Sequence, residues 1–295
     1  MLELACGGGR PAIQIPGNSL RPPTFDADFR RTWDDGSAEI SRYDTIRLRG
    51  GALVSGNAVA IVRRQTWSED ERVLNTDVNR PKTDLFPAIS MNWVERCGDG
   101  PQMRREMTTS ALALSSIEGR VSGSVTKVDF SSQSWDGQLF HQLLFDATGI
   151  RSHQYSYFES EGDEQVTLSY PNDGVSADGL WFWARHMAAP ALTASEERAL
   201  PLLPSLSSIR SRHLPLNWKH ALLSRSAVHT NASGKEVEEW LVRLDGGDSQ
   251  MFVVEATPPF RVIHWQHSSG ERADLISSTR EQYDGPGARA SLQRP

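Results

Sequence analysis

A chain of 295 residues with 38% hydrophobic and 23% charged side chains is long enough for one large folded unit or two medium ones, and too apolar for a disordered polymer. Its net charge of −6 argues against a nucleic-acid binder that works through overall charge, and no run reaches the ~18–20 apolar residues of a membrane-crossing helix. The only cysteines are Cys6 and Cys97, and Cys6 lies in a Gly-rich tail, so the core is expected to stand without a disulfide.

The chain starts Leu4-Ala5-Cys6-Gly7-Gly8-Gly9. A Leu–small–Cys step before a polar, Gly-rich spacer is similar to the processing site of a bacterial lipoprotein, whose Cys becomes the lipidated N-terminus. Glu3 departs from that pattern, and Met1–Ala5 is too short for an apolar signal region. The expectation is a lipid anchor at Cys6 and a periplasmic, membrane-anchored placement; an unprocessed Met1 would instead give a cytoplasmic protein. Residues 1–24, rich in Gly and Pro, read as a flexible linker, with folding expected to begin near Phe25.

Short extended runs follow, separated by turn signals. Ala38–Arg49 and Asn57–Trp67 flank Gly50-Gly51, a hairpin signature. Residues 68–85 are polar and read as a long loop. Ala88–Cys97 and Arg104–Leu114 form the next pair. Ser124–Trp135 alternates with period two and meets Gln138–Asp146 at the Asp136-Gly137 turn, with Trp135 expected in the core. Ser152–Phe158 and Gln165–Tyr170 enclose an acidic loop.

Asp178–Ala189 changes period. Leu180, Trp181, Trp183, Ala184, Met187 and Ala188 fall at helical spacing before Pro190, which predicts a helix over 178–189. Residues 190–216, with four prolines, read as a crossover. Five further extended runs follow: Trp218–Thr230, Glu236–Leu244, Gln250–Ala256, Arg261–His267 and Arg272–Ser278. Residues 285–295 read as a disordered tail. The expected fold is mainly β, with antiparallel sheets forming a barrel, half-barrel or sandwich around one helix, in a single domain over 25–284.

Three segments resemble a family of bacterial envelope lipoproteins. They are Trp33-Asp34-Asp35-Gly36-Ser37-Ala38-Glu39-Ile40-Ser41-Arg42-Tyr43, Phe130-Ser131-Ser132-Gln133-Ser134-Trp135-Asp136-Gly137-Gln138 and the run His153–Asp163. The family is largely uncharacterised and sometimes carries a septum-formation-inhibitor label. The resemblance implies an exported, lipid-anchored, β-rich protein and no known activity. Members usually carry Cys where this chain has Asp136.

No catalytic, cofactor or metal residue is assigned. His141 and His153 lie on one predicted hairpin, with Glu159, Glu161 or Asp163 as a third metal ligand, but none has metal-ligand spacing, so a solvated face is preferred. Ser131 and Ser132 near His141 lack a nucleophile elbow. The acids of residues 159–164 lack the alternation of a calcium loop. Cys97 reads as a buried structural thiol. The aromatic cluster supplies the candidate partner contacts, Trp181, Trp183 and Arg185.

The expected function is therefore non-enzymatic, an accessory or structural subunit docked on a membrane protein complex, with no cofactor and no nucleic-acid partner. Two alternatives stand beside it. One is a carrier of a hydrophobic ligand in a β-barrel cavity, with 178–189 as its lid. The other is an envelope hydrolase using His141 or His153.

Overall fold

The computed structural model describes residues 19–100, 103–135, 137–159 and 161–282. Cys6, most of the expected 1–24 linker and the expected 285–295 tail lie outside the described residues. The first eight strands are Ser37–Arg49 (β1), Ala52–Ser68 (β2), Leu85–Cys97 (β3), Arg104–Ala113 (β4), Val125–Ser134 (β5), Gly137–Phe145 (β6), Ile150–Ser156 (β7) and Glu164–Leu168 (β8). The others are Val175–Ser176 (β9), Glu197–Leu203 (β10), Lys219–Arg225 (β11), His229–Thr230 (β12), Glu236–Leu244 (β13), Ser249–Glu255 (β14), Val262–His267 (β15) and Arg272–Gln282 (β16). Three short helices accompany them, Ala27–Trp33 (α1), Leu180–Trp183 (α2) and Leu206–Ser211 (α3). None of the described helices is long and apolar enough to cross a membrane.

All sixteen strands belong to one sheet, ordered β8-β7-β6-β5-β4-β3-β2-β1-β16-β15-β14-β13-β11-β10-β9, with β12 beside β13. Every pairing is antiparallel except the short β9–β10 contact. The two end strands, β8 and β9, do not pair with each other, so the sheet is open. Turn chemistry sets the register. Gly50 and Gly51 both have positive φ, which the tight β1–β2 turn requires and L side chains resist. Ser134 pairs with Gly137, the first residue of β6, so the β5–β6 hairpin is present but Gly137 belongs to its strand rather than to its turn.

Residues 177–190 show how strongly the sheet curls. Gly179 lies against Val125 of β5 and Leu112 of β4. Trp183 meets Trp240 of β13 edge-on at 4.5 Å, and Arg185 pairs with Glu39 of β1. One short segment therefore touches strands from both wings of the sheet and fills one end of its interior. A single apolar cluster runs from Leu20 and Trp33 through this plug to Trp265 and Ala273. A smaller one, with Trp67, Phe86 and Ile117, sits apart from it.

Several expectations need correction. The helix expected over 178–189 is α-helical only at Leu180–Trp183. His186 takes a left-handed φ of 61° and Met187 N–H bonds back to Phe182 C=O, which ends it. Nearly every side chain of the plug is buried, so apolar residues are required all round and their spacing does not report a helix. The Pro-rich crossover contains β10 and α3. The run Trp218–Thr230 divides into β11 and β12. Folding also begins before Phe25. Leu20 is buried, Ser19 binds Asp173, Ala191 N–H donates to Arg21 C=O at 2.8 Å, and Pro23 packs on Gly123. Trp135, expected in the core, is 78% exposed at the β5–β6 turn.

Candidate functional site

The plug accounts for two of the three aromatic-cluster candidates. Trp183 is buried and donates Nε1–H to Pro190 C=O at 2.9 Å. Arg185 is buried as well. It holds both carboxylate oxygens of Glu39 and the carbonyls of Pro259 and Phe260, with its guanidinium over the Trp33 ring. Neither can reach a partner. The sequence offers both as candidate partner contacts because their burial depends on strands far away in the chain.

Trp181 faces the other way, into a cavity of about 350 Å³ that the plug leaves free. Its floor is aromatic. Trp181 stacks at 4.7 Å on Trp93 of β3 and stands edge-on to Tyr43 of β1 and Phe252 of β14. Trp265 of β15 completes the apolar wall. α3 closes the far side, turning Ser205, Ser207, Ser208 and Ser211 toward the cavity while Leu206 and Ile209 are buried in the protein. The segment that covers the cavity is thus 204–214, and 178–189 is its floor.

The opposite wall is charged. Side chains alternate along a strand, and β1 turns Glu39, Tyr43, Arg47 and Arg49 to the interior. Arg47 Nε–H lies 2.8 and 3.0 Å from the two oxygens of Glu95, which also accepts from Trp93 Nε1 at 3.0 Å. Burial pushes the Glu95 carboxyl up, but the Arg47 guanidinium outweighs it and holds the group below its ordinary value. Arg49 Nη2 bonds Glu106 of β4 at 2.6 Å. There burial prevails over Arg49, and the Glu106 carboxyl is held above its ordinary value. Deeper still, Asp178 accepts from Leu206 N–H at 3.1 Å, and burial pushes its carboxyl up to about 7. At the mouth Arg212 reaches Asp248 and Glu271 at 3.5 and 3.4 Å.

The structure does not bring the two candidate histidines together. His141 pairs across the ladder with Gln154, and Gln142 with His153, so the two imidazoles lie on opposite faces of the sheet. His141 is buried and hydrogen-bonded to Ser152 Oγ at 2.8 Å, with no partner at Nδ1 among the described residues. Burial pushes its pKa down to about 3. His153 meets Asp163 at 3.0 Å. Among the described residues no three His, Cys, Asp or Glu side chains come together as metal ligands. Cys97 is a buried free thiol.

No family model matches this chain, and no curated protein matches it. Among solved structures it is similar to a beta-barrel-like protein of Domain of Unknown Function DUF1849 from Brucella abortus. The identity is 8%, the TM-score is 0.44, and the match covers 89% of this chain and 100% of that one.

Proposed function

We propose that this protein binds and carries a small hydrophobic or amphipathic ligand inside the curled sheet. One observation carries this reading. The interior holds about 350 Å³ of unfilled space walled by Trp93, Trp181, Phe252 and Trp265. Cavities that take organic ligands begin at roughly this size and are mainly aromatic and apolar with a few fixed polar groups. A core at native packing density has few voids larger than a water molecule, so a space of this size stands out.

The uncharged dye N-phenyl-1-naphthylamine tests the reading. It is expected to bind at one site, with energy transfer from the neighbouring indoles. Ser208→Trp, which projects a bulky ring from α3 into the cavity, is expected to abolish binding while the far-ultraviolet spectrum is unchanged. A dye that does not bind the wild-type protein, or binds the variant equally well, ends the proposal.

A second reading is the accessory subunit docked on a membrane protein complex and anchored through Cys6 in the periplasm. It is supported by exposed aromatic rings at one rim, Trp135 at 78%, Tyr155 at 47% and Tyr157 at 42%. Aromatic rings left in water favour an interface. Trp135→Ser is expected to weaken recovery of membrane proteins from native membranes. Recovery of the wild-type protein alone and monomeric would end this reading.

A further inference from the structure

The charged inner wall of the cavity sets two arginines against two glutamates. Arg47 and Arg49 face Glu95 and Glu106. At the mouth, Asp245, Asp248 and Glu271 face Arg212 and Lys219, and Arg212 sits between the last two acids.

What distinguishes the inner wall is the set of donors it leaves unused, first on Arg47. Both of its hydrogen bonds run from Nε to Glu95, and its two terminal nitrogens have no hydrogen-bond partner among the described residues. Its guanidinium carbon lies 4.9 Å from the Trp265 ring centroid and 5.8 Å from that of Trp93. Two indoles lie within cation–π distance, Glu95 takes up Nε, and the residue lines the cavity. A guanidinium fixed this way offers paired donors matched to a carboxylate or phosphate. Beside it, Arg49 Nε and the hydroxyl of Ser110 are buried without partners among the described residues. Buried donors left unmade are unfavourable, and an acceptor-rich headgroup would satisfy them. From Arg47 the aromatic floor runs on through Trp181 to Phe252.

We infer that the ligand is an anionic amphiphile, a carboxylate or phosphate on an apolar body, with its headgroup on Arg47 and its tail along Trp181 and Phe252. This inference rests on the cavity reading above and names the class of ligand that the cavity takes.

Three ligands with one tail and different head charges test it, namely dodecanoate, dodecanol and dodecylammonium, with acetate as the headgroup alone. All are titrated below their aggregation concentrations and followed by indole fluorescence. Dodecanoate is expected to bind roughly tenfold or more tighter than dodecanol, dodecylammonium weaker than either, and acetate not measurably. Equal or tighter binding of dodecanol or dodecylammonium overturns the headgroup assignment and leaves the cavity reading standing. Acetate binding as tightly as dodecanoate overturns the amphiphile. Failure of every ligand, the uncharged dye included, removes both. Arg47→Gln alone would leave Glu95 buried and unpaired, so the variant of choice is Arg47→Gln with Glu95→Gln. It is expected to keep dodecanol binding and lose the preference for the carboxylate, and a retained preference overturns the role of Arg47. The wild-type series decides the ligand class whether or not the variant folds.

Discussion

Arg185 and Glu39, 146 positions apart in the chain, form a doubly bonded ion pair inside the sheet, Nη1 to Oε1 at 2.8 Å and Nη2 to Oε2 at 2.9 Å. The pair fastens the plug to β1, and the Pro259 and Phe260 carbonyls take two further donors of the guanidinium. Removing one member leaves a buried charge with nothing opposite it. Arg185→Met is expected to lower stability by about 3–5 kcal/mol, and Arg185→Met with Glu39→Met by much less, because no charge is then stranded. Urea unfolding midpoints of the two variants provide the comparison.

Gly123 has a φ of +81°, and a Cβ there would come within 2.6 Å of the Pro23 ring. Its carbonyl also accepts the Ala189 N–H at 3.1 Å, so plug, N-terminal segment and β4–β5 connection meet at one residue. Gly123→Ala is expected to destabilise by about 1–3 kcal/mol through the left-handed backbone alone, and by more through the clash. A thermal melt measures the loss. Gly36→Ala has a positive φ but open space around it and should cost less.

Asp178 makes stability depend on pH in an unusual direction. Its carboxyl titrates at about 7 in the folded chain and near 3.8 when exposed, so folding takes up a proton between those values. The stability it contributes is complete below about pH 4 and is lost as pH rises to about 7. Asp178→Asn keeps an acceptor for Leu206 N–H without the charge. The unfolding free energy of the variant relative to wild type, from urea titrations, is expected to climb from pH 4 to 7 and then level off, with a total change on the order of 4 kcal/mol.

His141 acts in the opposite sense. Burial lowers its pKa from 6.5 to about 3, so the unfolded chain takes up the proton first. Its contribution is present above about pH 6.5 and is lost as pH falls toward 3. In an NMR titration the His141 ring resonances are expected to stay at their neutral positions down to about pH 4. A midpoint near 6.5 would mean that the imidazole is open to water.

The strand order could not be read from the sequence, but many of the strands could. Gly50-Gly51 marks its hairpin because positive φ is a local demand that a few residue types meet. The inward row of β1 is different. Ile40, Ile46 and Leu48 suggest an apolar face of one parity, yet it is the opposite parity, with Arg47 and Arg49, that lines the cavity. Those arginines are stable inside because Glu95 and Glu106 arrive from β3 and β4, and nothing local announces that pairing. Two charges at i and i+2 in a long strand are the signal that was there to find. Trp183 and Arg185 misled for the same reason, since their partners lie on β13 and β1.

β1 also joins the two wings of the sheet. Its far edge receives β16, from Ser37 opposite Gln282 to Ile46 opposite Arg272. The last described strand is therefore inserted at the middle of the sheet, beside the first. Without β16, β1 and β15 both present unpaired backbone, and each wing can form its own hairpins without closing on the plug. Joining the wings thus depends on a pairing between strands far apart in the chain, and removing β16 would leave two half-sheets with exposed edges.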